Sequence, residues 1–128
     1  MTVTVHTLVH LCSSEEWDQL DNDEHKDGYR RPPSLAESGF VHLSTPDQVH
    51  LPANRLFAGR DDMVLLWIDA ARLTDEVKFE PGVATDPDSM RFPHLYGPLP
   101  RAAVVAVTRY VPGHDGIYRT PQQPSSGA

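Results

Sequence analysis

The residues best placed to do chemistry lie on one short segment, Gly39-Phe40-Val41-His42-Leu43-Ser44. Alternation along a strand places Phe40, His42 and Ser44 on one face and leaves the two aliphatic residues for the core. His42 and Ser44 then lie about 7 Å apart along the strand, which suits joint binding of one small polar ligand. The alternative is a histidine bonded to a neighbouring carbonyl and a serine that merely ends the strand.

A second candidate segment runs from Phe92 to Leu99 and carries His94 and Tyr96. Its prolines restrict the backbone, which gives the two side chains a rigid platform. A tyrosine combines a flat face for stacking with a hydroxyl for hydrogen bonding. The same segment also fits a rigid connector whose apolar side chains are core contacts, and the sequence leaves both interpretations open.

Glu80 is a further candidate for the site. It ends a predicted strand and is followed by Pro81, and a carboxylate at a strand end can face a pocket. Most glutamates in such positions are simply exposed to solvent, so that interpretation stays open as well.

Three histidines and this glutamate suggest a metal site, because zinc often takes three protein ligands of these types. The histidines are His10, His42 and His94. No HExxH motif or comparable local spacing joins them. We therefore expect no metal and keep a His-based, metal-dependent hydrolase only as an alternative function. A nucleophilic pair of Cys12 with a histidine is a weaker hypothesis still.

The overall charge argues against a nucleic-acid partner. The 128 residues carry a formal net charge of −7, and the densest basic cluster is Tyr29-Arg30-Arg31. Proteins that bind nucleic acids derive most of their affinity from basic residues that contact phosphates. This cluster is too small for a duplex but fits one phosphate or diphosphate; the alternative is a pair of solvated arginines.

The sequence predicts a cytoplasmic protein with no membrane partner. No stretch approaches the roughly 20 apolar residues of a membrane helix. The first residues, Met-Thr-Val-Thr-Val-His, do not have the pattern of a signal peptide. The single cysteine cannot form an internal disulfide, which is typical of the cytoplasm. The sequence does not indicate the oligomeric state.

Periodicity and capping signals predict the elements that must position these residues. Strands are expected at 3–10, 40–44, 63–69, 77–80 and 103–111, with 63–69 in the middle of a sheet. Helices are expected from Ser14 to about His25 and from Pro46 to about Phe57, the second bent or divided at Pro52, and one helical turn at 70–74. Residues 26–38, 81–90 and 92–100 are expected to lack regular structure.

The order of these elements, β-α-β-α-β-β-β, predicts an α+β fold rather than a doubly wound parallel sheet. A mostly antiparallel, curved sheet flanked by two helices fits the pattern. We expect a single globular domain over residues 1–121 and a disordered tail over residues 122–128.

Several motifs taken together resemble a known family. The two histidine motifs carry most of the resemblance: Gly-Phe-Val-His-Leu-Ser at 39–44 and Phe-Pro-His-Leu-Tyr-Gly-Pro-Leu at 92–99. Other matching positions are Trp17, Tyr29, Pro-Pro-Ser-Leu at 32–35, Gln48-Val49, Ala53-Asn54-Arg55, 65–69 and Phe79-Glu80. The chain resembles the bacterial family called domain of unknown function 952, from about residue 6 to Pro121.

That family is grouped, by remote similarity, with the ADP-ribosyltransferase-like fold. The resemblance implies two small, mostly antiparallel, curved sheets flanked by two or three short helices, with NAD bound between the sheets. Proteins of that fold hold the adenosine-side ribose with a strand histidine and a nearby hydroxyl, which His42 and Ser44 resemble. In that fold an aromatic residue stacks on nicotinamide. Its counterpart here is either Tyr96, which has His94 beside it, or Tyr29.

A late acid orients the other ribose in that fold, and Glu80 is its counterpart here. Glu80 precedes the aromatic candidate, which departs from the usual order, in which the acid comes last. Asn54 and Arg55 of a matching segment join the candidate substrate-binding residues. Arg30, Arg31 or Arg55 would meet the diphosphate.

The resemblance thus implies an enzyme that uses NAD as a substrate, a transferase or a glycohydrolase, with Glu80 and His94 as its catalytic residues. Cleavage of the nicotinamide–ribose bond passes through an oxocarbenium-like state, as glycoside cleavage does. A carboxylate near the ribose stabilises that charge. The alternatives are a non-catalytic module that binds a nucleotide or small metabolite, and the metal-dependent hydrolase.

Overall fold

The structure, a computed structural model, describes residues 7–20, 28–81 and 91–124. Within them the strands are β1 (Thr7–Ser13), β2 (Tyr29–Arg30), β3 (Val41–His42), β4 (Met63–Asp69), β5 (Val77–Pro81), β6 (Arg91–Leu95), β7 (Leu99–Pro100) and β8 (Val104–Arg109). The helices are α1 (Ser14–Leu20), α2 (Pro33–Ser38) and α3 (His50–Leu56), with 3₁₀ helices at Ala70–Arg72 and Arg101–Ala103.

The strands pair into two three-stranded antiparallel sheets and one two-stranded ribbon. The central sheet has the order β1-β4-β8, the outer sheet has the order β3-β6-β5, and the ribbon joins β2 to β7. Val9 and Ser44 exchange two backbone hydrogen bonds of 2.8 Å, which link β1 to the chain just after β3. The predicted α+β class with antiparallel sheets is confirmed, and β4 is a middle strand as predicted.

The central sheet is buried on both faces, because β4 is apolar and buried at every position from Met63 to Ile68. One face packs on the outer sheet through Leu8, Cys12, Val41, Leu43, Val64, Leu66, Ile68, Leu95, Leu99 and Ala103. The other face packs on α3 and the C-terminal segment through Val9, Val49, Ala53, Leu65, Trp67, Tyr110 and Tyr118. Full burial of one such large side chain stabilises the fold by about 1.5–3 kcal/mol.

A capping box between Ser13 and Glu16 sets the start of α1. Ser13 N–H donates to Glu16 Oε1 over 2.8 Å, and Glu16 N–H donates to Ser13 Oγ over 3.1 Å. Two backbone donors that a helix start would leave free are thereby satisfied. The helix begins at Ser14, as predicted.

The second predicted helix begins later than expected. Residues 46–49 form turns, and α3 starts at His50 instead of at Pro46. Pro52 is therefore the third residue of the helix, where the backbone N–H has no intrahelical partner to lose. The expectation of a bend at Pro52 was wrong for this reason.

The segment 26–38, predicted to be irregular, contains regular structure in its described part. β2 pairs with β7, and α2 begins at Pro33, whose fixed φ suits the first helical position. Gly39 ends α2 with a φ of 87°, a left-handed conformation that glycine adopts without strain. The prediction of a loop was wrong because the prolines start a helix here instead of preventing one.

The segment 92–100 was also predicted to be irregular, and that prediction was wrong. It contributes β6, the middle strand of the outer sheet, and β7. Pro93 lies within β6 although it has no N–H to donate. Its carbonyl oxygen still accepts a 3.0 Å hydrogen bond from Leu43 N–H, so the strand keeps a neighbour at this position.

The remaining predicted elements are found close to their expected places. The strands at 63–69 and 77–80 and the helical turn at 70–74 are confirmed, β1 extends to Ser13, and β8 covers 104–109. Parts of four predictions fall outside the described residues: the strand at 3–6, the helix end near 25, the loop at 82–90 and the tail at 125–128. In the described ranges, no helix is long and apolar enough to cross a membrane.

Candidate functional site

The two histidine segments lie side by side in the outer sheet. β3 pairs with β6 so that His42 is opposite His94 and Val41 is opposite Leu95. The aliphatic pair is buried in the core, so the histidines occupy the outward face, with ring centroids 5.2 Å apart. On the other side of β6, Lys78 of β5 is opposite His94. The outward face of the outer sheet is therefore the candidate site.

Two hydrogen bonds to the same carboxylate oxygen hold Glu80 at this face. Tyr96 Oη donates to Glu80 Oε1 over 2.6 Å, and His94 Nδ1 donates to it over 3.0 Å. The Tyr96 hydroxyl and then His94 lower the pKa of Glu80, and the carboxylate in turn raises the pKa of Tyr96. The Glu80 side chain is 38% exposed, whereas that of His94 is 3% exposed. The site thus presents an ionised, oriented carboxylate to solvent.

Phe40 covers the histidines with its ring. It stacks on His94 at 4.0 Å between centroids, with 11° between the ring planes, and meets His42 edge-on at 4.9 Å. Tyr96 lies 5.3 Å from Phe40, so four rings form one cluster. Alternation placed Phe40 on this face, but the sequence assigned it no role. The cluster combines flat apolar surfaces with polar edges, which suits a ligand that has a planar ring and hydroxyl groups.

His94 has one nitrogen that the described residues leave without a hydrogen-bond partner. Its Nδ1 is bonded to Glu80, and its Nε2 is buried and unsatisfied. An unsatisfied buried polar atom costs about 1–3 kcal/mol. Such an atom in a native site calls for an explanation, and contact with a ligand is one.

His42 is the exposed member of the pair. Partial burial, followed by the charge of His94, lowers the pKa of His42. Its ring is therefore neutral at neutral pH, with one nitrogen that donates and one that accepts a hydrogen bond. This is the pattern needed to bind a hydroxyl group.

A network of three side chains supports the backbone of His42. His10 Nδ1 donates to the His42 carbonyl oxygen over 2.8 Å, and His10 Nε2 accepts from Arg30 Nε over 2.9 Å. Arg30 also forms an ion pair with Glu16 at 3.1 Å. A carbonyl only accepts and a guanidinium only donates, so His10 must be neutral with its proton on Nδ1. Burial, and then the charge of Arg30, lowers the pKa of His10 to about 4.

This network weakens the alternatives based on a metal or on cysteine. Both ring nitrogens of His10 are engaged, so this arrangement leaves none to bind a metal. Within the described ranges, no group of three His, Cys, Asp or Glu side chains could hold a metal ion. Burial raises the pKa of Cys12 to about 12, so its thiol stays protonated and is a poor nucleophile.

Three predicted substrate-binding residues lie elsewhere in the fold. Ser44 is buried, and its backbone pairs with Val9 of the central sheet instead of continuing β3 beside His42. Tyr29 and Arg31 belong to the region of the two-stranded ribbon, where the Arg31 guanidinium lies 5.8 Å from the Tyr29 ring centroid. No sequence pattern indicated that these three residues lie apart from the His42 and His94 pair, because strand pairing alone sets their positions.

Asn54 and Arg55 lie on α3, on the opposite side of the central sheet from the outer sheet. Asn54 Nδ2 donates to the carbonyl oxygens of His50 and Tyr118, each over 2.9 Å, and Asn54 Oδ1 accepts from Tyr118 N–H over 2.8 Å. These bonds give Asn54 a structural role: it fastens the C-terminal segment to α3.

Asn54→Ala is expected to lower the free energy of unfolding by about 2 kcal/mol, because the Tyr118 N–H and carbonyl lose their partner. Urea denaturation followed by circular dichroism measures the change. Glu37→Ala, at an exposed position on α2, is the control and is expected to have little effect. An unfolding midpoint of Asn54→Ala equal to that of the control would contradict the structural role.

Comparisons with known proteins agree with one another. The family described as protein of unknown function DUF952 matches residues 11–107. The crystal structure of protein CC0527 from Caulobacter crescentus is 29% identical, with a TM-score of 0.69, over 88% of this chain and 93% of that one. Its solution NMR structure gives 28% identity and a TM-score of 0.70, over 88% and 91% of the two chains. Comparison with functionally curated proteins gives no match.

Proposed function

Because the chain belongs to the DUF952 family, described as being of unknown function, we propose an activity from the geometry of its own site. The protein binds NAD on the outward face of the outer sheet and cleaves the bond between nicotinamide and ribose. The site is not placed between the sheets, as the resemblance implied, because buried apolar side chains fill that space. The reaction is that of an ADP-ribosyltransferase or an NAD glycohydrolase, and the fold is a variant of the ADP-ribosyltransferase-like fold.

The observation that carries this proposal is the Glu80 carboxylate, ionised and oriented by Tyr96 and His94 beside a cluster of aromatic rings. In the reaction the C1′–N bond breaks, and nicotinamide leaves with the electron pair. The positive charge that develops on the ribose ring is stabilised by a carboxylate already in position. Water or an acceptor hydroxyl then attacks C1′ and releases its proton.

The other members of the cluster have matching tasks. The neutral ring of His42 donates a hydrogen bond to a ribose hydroxyl, which holds the sugar in one orientation. The Tyr96 ring, with Phe40 beside it, offers a flat surface for nicotinamide.

The unusual chain order of the acid is compatible with this assignment. Glu80 precedes Tyr96 in sequence, but β5 and β6 are antiparallel neighbours. Their pairing brings the carboxylate within 2.6 Å of the Tyr96 hydroxyl. The spatial relation of acid and aromatic residue therefore does not depend on which comes first.

A second candidate function is binding of a nucleotide without turnover. It is favoured by the close stacking of Phe40 on His94 and by the engagement of Glu80 Oε1 in two hydrogen bonds. Tight stacking and a carboxylate oxygen that already accepts two hydrogen bonds are typical of a rigid binding surface, whereas a reacting carboxylate needs a free oxygen. Incubation with NAD, followed by chromatography for nicotinamide, separates the two functions. Nicotinamide release supports the enzyme; binding seen by calorimetry without any release supports the module; neither result would reject both.

His42→Ala is expected to weaken NAD binding about tenfold with little change in stability, because one hydrogen bond to the ligand is lost. The His42 side chain is exposed, and the backbone carbonyl that His10 binds remains in the variant. Calorimetric titration measures the affinity and thermal unfolding the stability. His114→Ala, at another exposed histidine, is the control. A large loss of stability in His42→Ala would instead identify a structural histidine.

A further inference from the structure

We infer that Lys78 binds the phosphate attached to the nicotinamide-side ribose, so that the substrate must be a phosphorylated nicotinamide nucleotide. This inference rests on the proposed function and deepens it. The sequence pointed to three arginines for this task and not to Lys78.

Lys78 lies on the same face as the catalytic cluster. In the register of β5 and β6 it is opposite His94, and its exposed side chain bends over the site. Its Nζ lies 5.0 Å from the centroid of the Tyr96 ring, a cation–π distance. The ammonium group is therefore held over one face of the ring that is proposed to meet nicotinamide.

The arginines expected to meet the diphosphate are placed differently. Arg30 donates to His10 and pairs with Glu16, and its side chain is only 11% exposed. Arg55 is on α3, on the far side of the central sheet. Arg31 lies by the Tyr29 ring at the ribbon. Lys78, by contrast, contacts the aromatic cluster through the Tyr96 ring.

The spacing along β5 fits the chemistry of a nucleotide. Lys78 and Glu80 are two residues apart and on one face, which separates their Cα atoms by about 7 Å. A carboxylate at C1′ and an ammonium at the 5′-phosphate are separated by one ribose. Both side chains contact Tyr96, Glu80 at its hydroxyl and Lys78 over its ring, so a bound nicotinamide nucleotide would meet the two charges at one site.

Lys78 is needed for phosphate binding because its neighbours on the strand are acidic. Glu80 follows it at the same face, and Glu76 precedes it by two residues, so one ammonium group offsets two carboxylates. Without Lys78 these carboxylates would repel an anionic ligand. Binding is therefore expected to be sensitive to salt and to be lost on charge reversal.

The test compares three ligands by calorimetry in the Glu80→Gln background, in which turnover is expected to be slow: nicotinamide riboside, nicotinamide mononucleotide and NAD. Lys78→Met is expected to weaken the two phosphorylated ligands about tenfold, the order expected for a charged hydrogen bond at an exposed position, and to leave the riboside unchanged. Lys78→Arg should restore most of the affinity, and Lys78→Glu should remove it. Arg109→Gln, an exposed cation at the end of β8, is the control.

The outcomes separate this inference from the proposed function. If Lys78→Met weakens all three ligands equally, or none of them, the phosphate role is wrong while NAD binding stands. If the protein with Lys78 intact binds none of the three, both the phosphate role and the proposed function are wrong. Selective loss of the phosphorylated ligands, with recovery in Lys78→Arg, establishes the role of Lys78.

Discussion

Glu80→Gln is expected to slow nicotinamide release from NAD by about 10²–10³-fold, while NAD binding and folding stay close to those of the unmodified protein. The two hydrogen bonds at Glu80 make this change unusually specific. Tyr96 and His94 both donate to Oε1, and the amide oxygen of glutamine can accept both bonds. The substitution therefore removes the negative charge and keeps the geometry of the site.

The loss of rate follows from the charge alone. The positive charge on the ribose exists only near the transition state, so a carboxylate at this point lowers the barrier more than it stabilises the bound substrate. We therefore expect kcat to fall and the dissociation constant to change little. Chromatography of nicotinamide measures the first quantity and calorimetry the second.

Glu76→Gln is the matched control for this prediction. It removes an equal charge four residues away on the same segment, at an exposed position whose side chain takes no part in the proposed bond cleavage. Its turnover should be near that of the unmodified protein. Equal loss of turnover in both variants would mean that only net charge matters, and full activity of Glu80→Gln would remove Glu80 from the catalytic role.

Acidification from pH 6.5 to about pH 4 is expected to destabilise the protein by about 3 kcal/mol through His10 alone. The pKa of this histidine is lowered from 6.5 to about 4 in the folded protein. Below pH 6.5 the unfolded chain binds a proton that the folded protein does not. The stabilisation is therefore fully present above pH 6.5 and is lost as the pH falls toward 4.

The cause is the position of the protons in the His10 network. A second proton would have to go on Nε2, which already accepts from the Arg30 guanidinium. If Nε2 were protonated, its N–H would face the N–H of Arg30. A second positive charge would then lie beside the guanidinium in a buried site. The lowered pKa of His42 adds a contribution of the same sign.

Urea denaturation between pH 4 and pH 7 measures this effect by comparison with a variant. In His10→Gln the side chain can still donate to the His42 carbonyl and accept from Arg30, but it has no proton to gain. Its stability should depend less steeply on pH in this window. His114→Gln, at an exposed histidine, is the control and should keep the slope of the unmodified protein. Parallel curves for His10→Gln and the unmodified protein would refute the prediction.

Much of the local structure could be predicted because local rules govern it. The capping box at Ser13 and Glu16 sets the start of α1 within four residues of chain. Period-two alternation buries Val41 and Leu43 and turns His42 outward. The errors at Pro52 and Pro93 have one physical reason. A proline costs a hydrogen bond only where its neighbours would use the missing N–H, and that depends on the strands or helix around it.

The sequence could predict which residues belong to the candidate site, but not how they are arranged in space. His42, His94, Tyr96 and Glu80 were all candidates, and the strand register brings them together. A separate bridge to Val9 takes Ser44 to the central sheet, and α3, with Asn54, packs on the other side of that sheet. These positions depend on hydrogen bonds between distant residues, such as that between Asn54 and Tyr118, and no short-range pattern encodes them.

The sequence by itself determined the family, the α+β class, the outward direction of His42 and the identity of the acid candidate. Those properties follow from motifs and from rules that act within a few residues of chain. Only the tertiary structure decided that Glu80 bonds to Tyr96 and that His10 is held neutral by His42 and Arg30. The reason is that a proton position or a charge pairing is a property of two groups in contact, and the pairing of the strands creates those contacts.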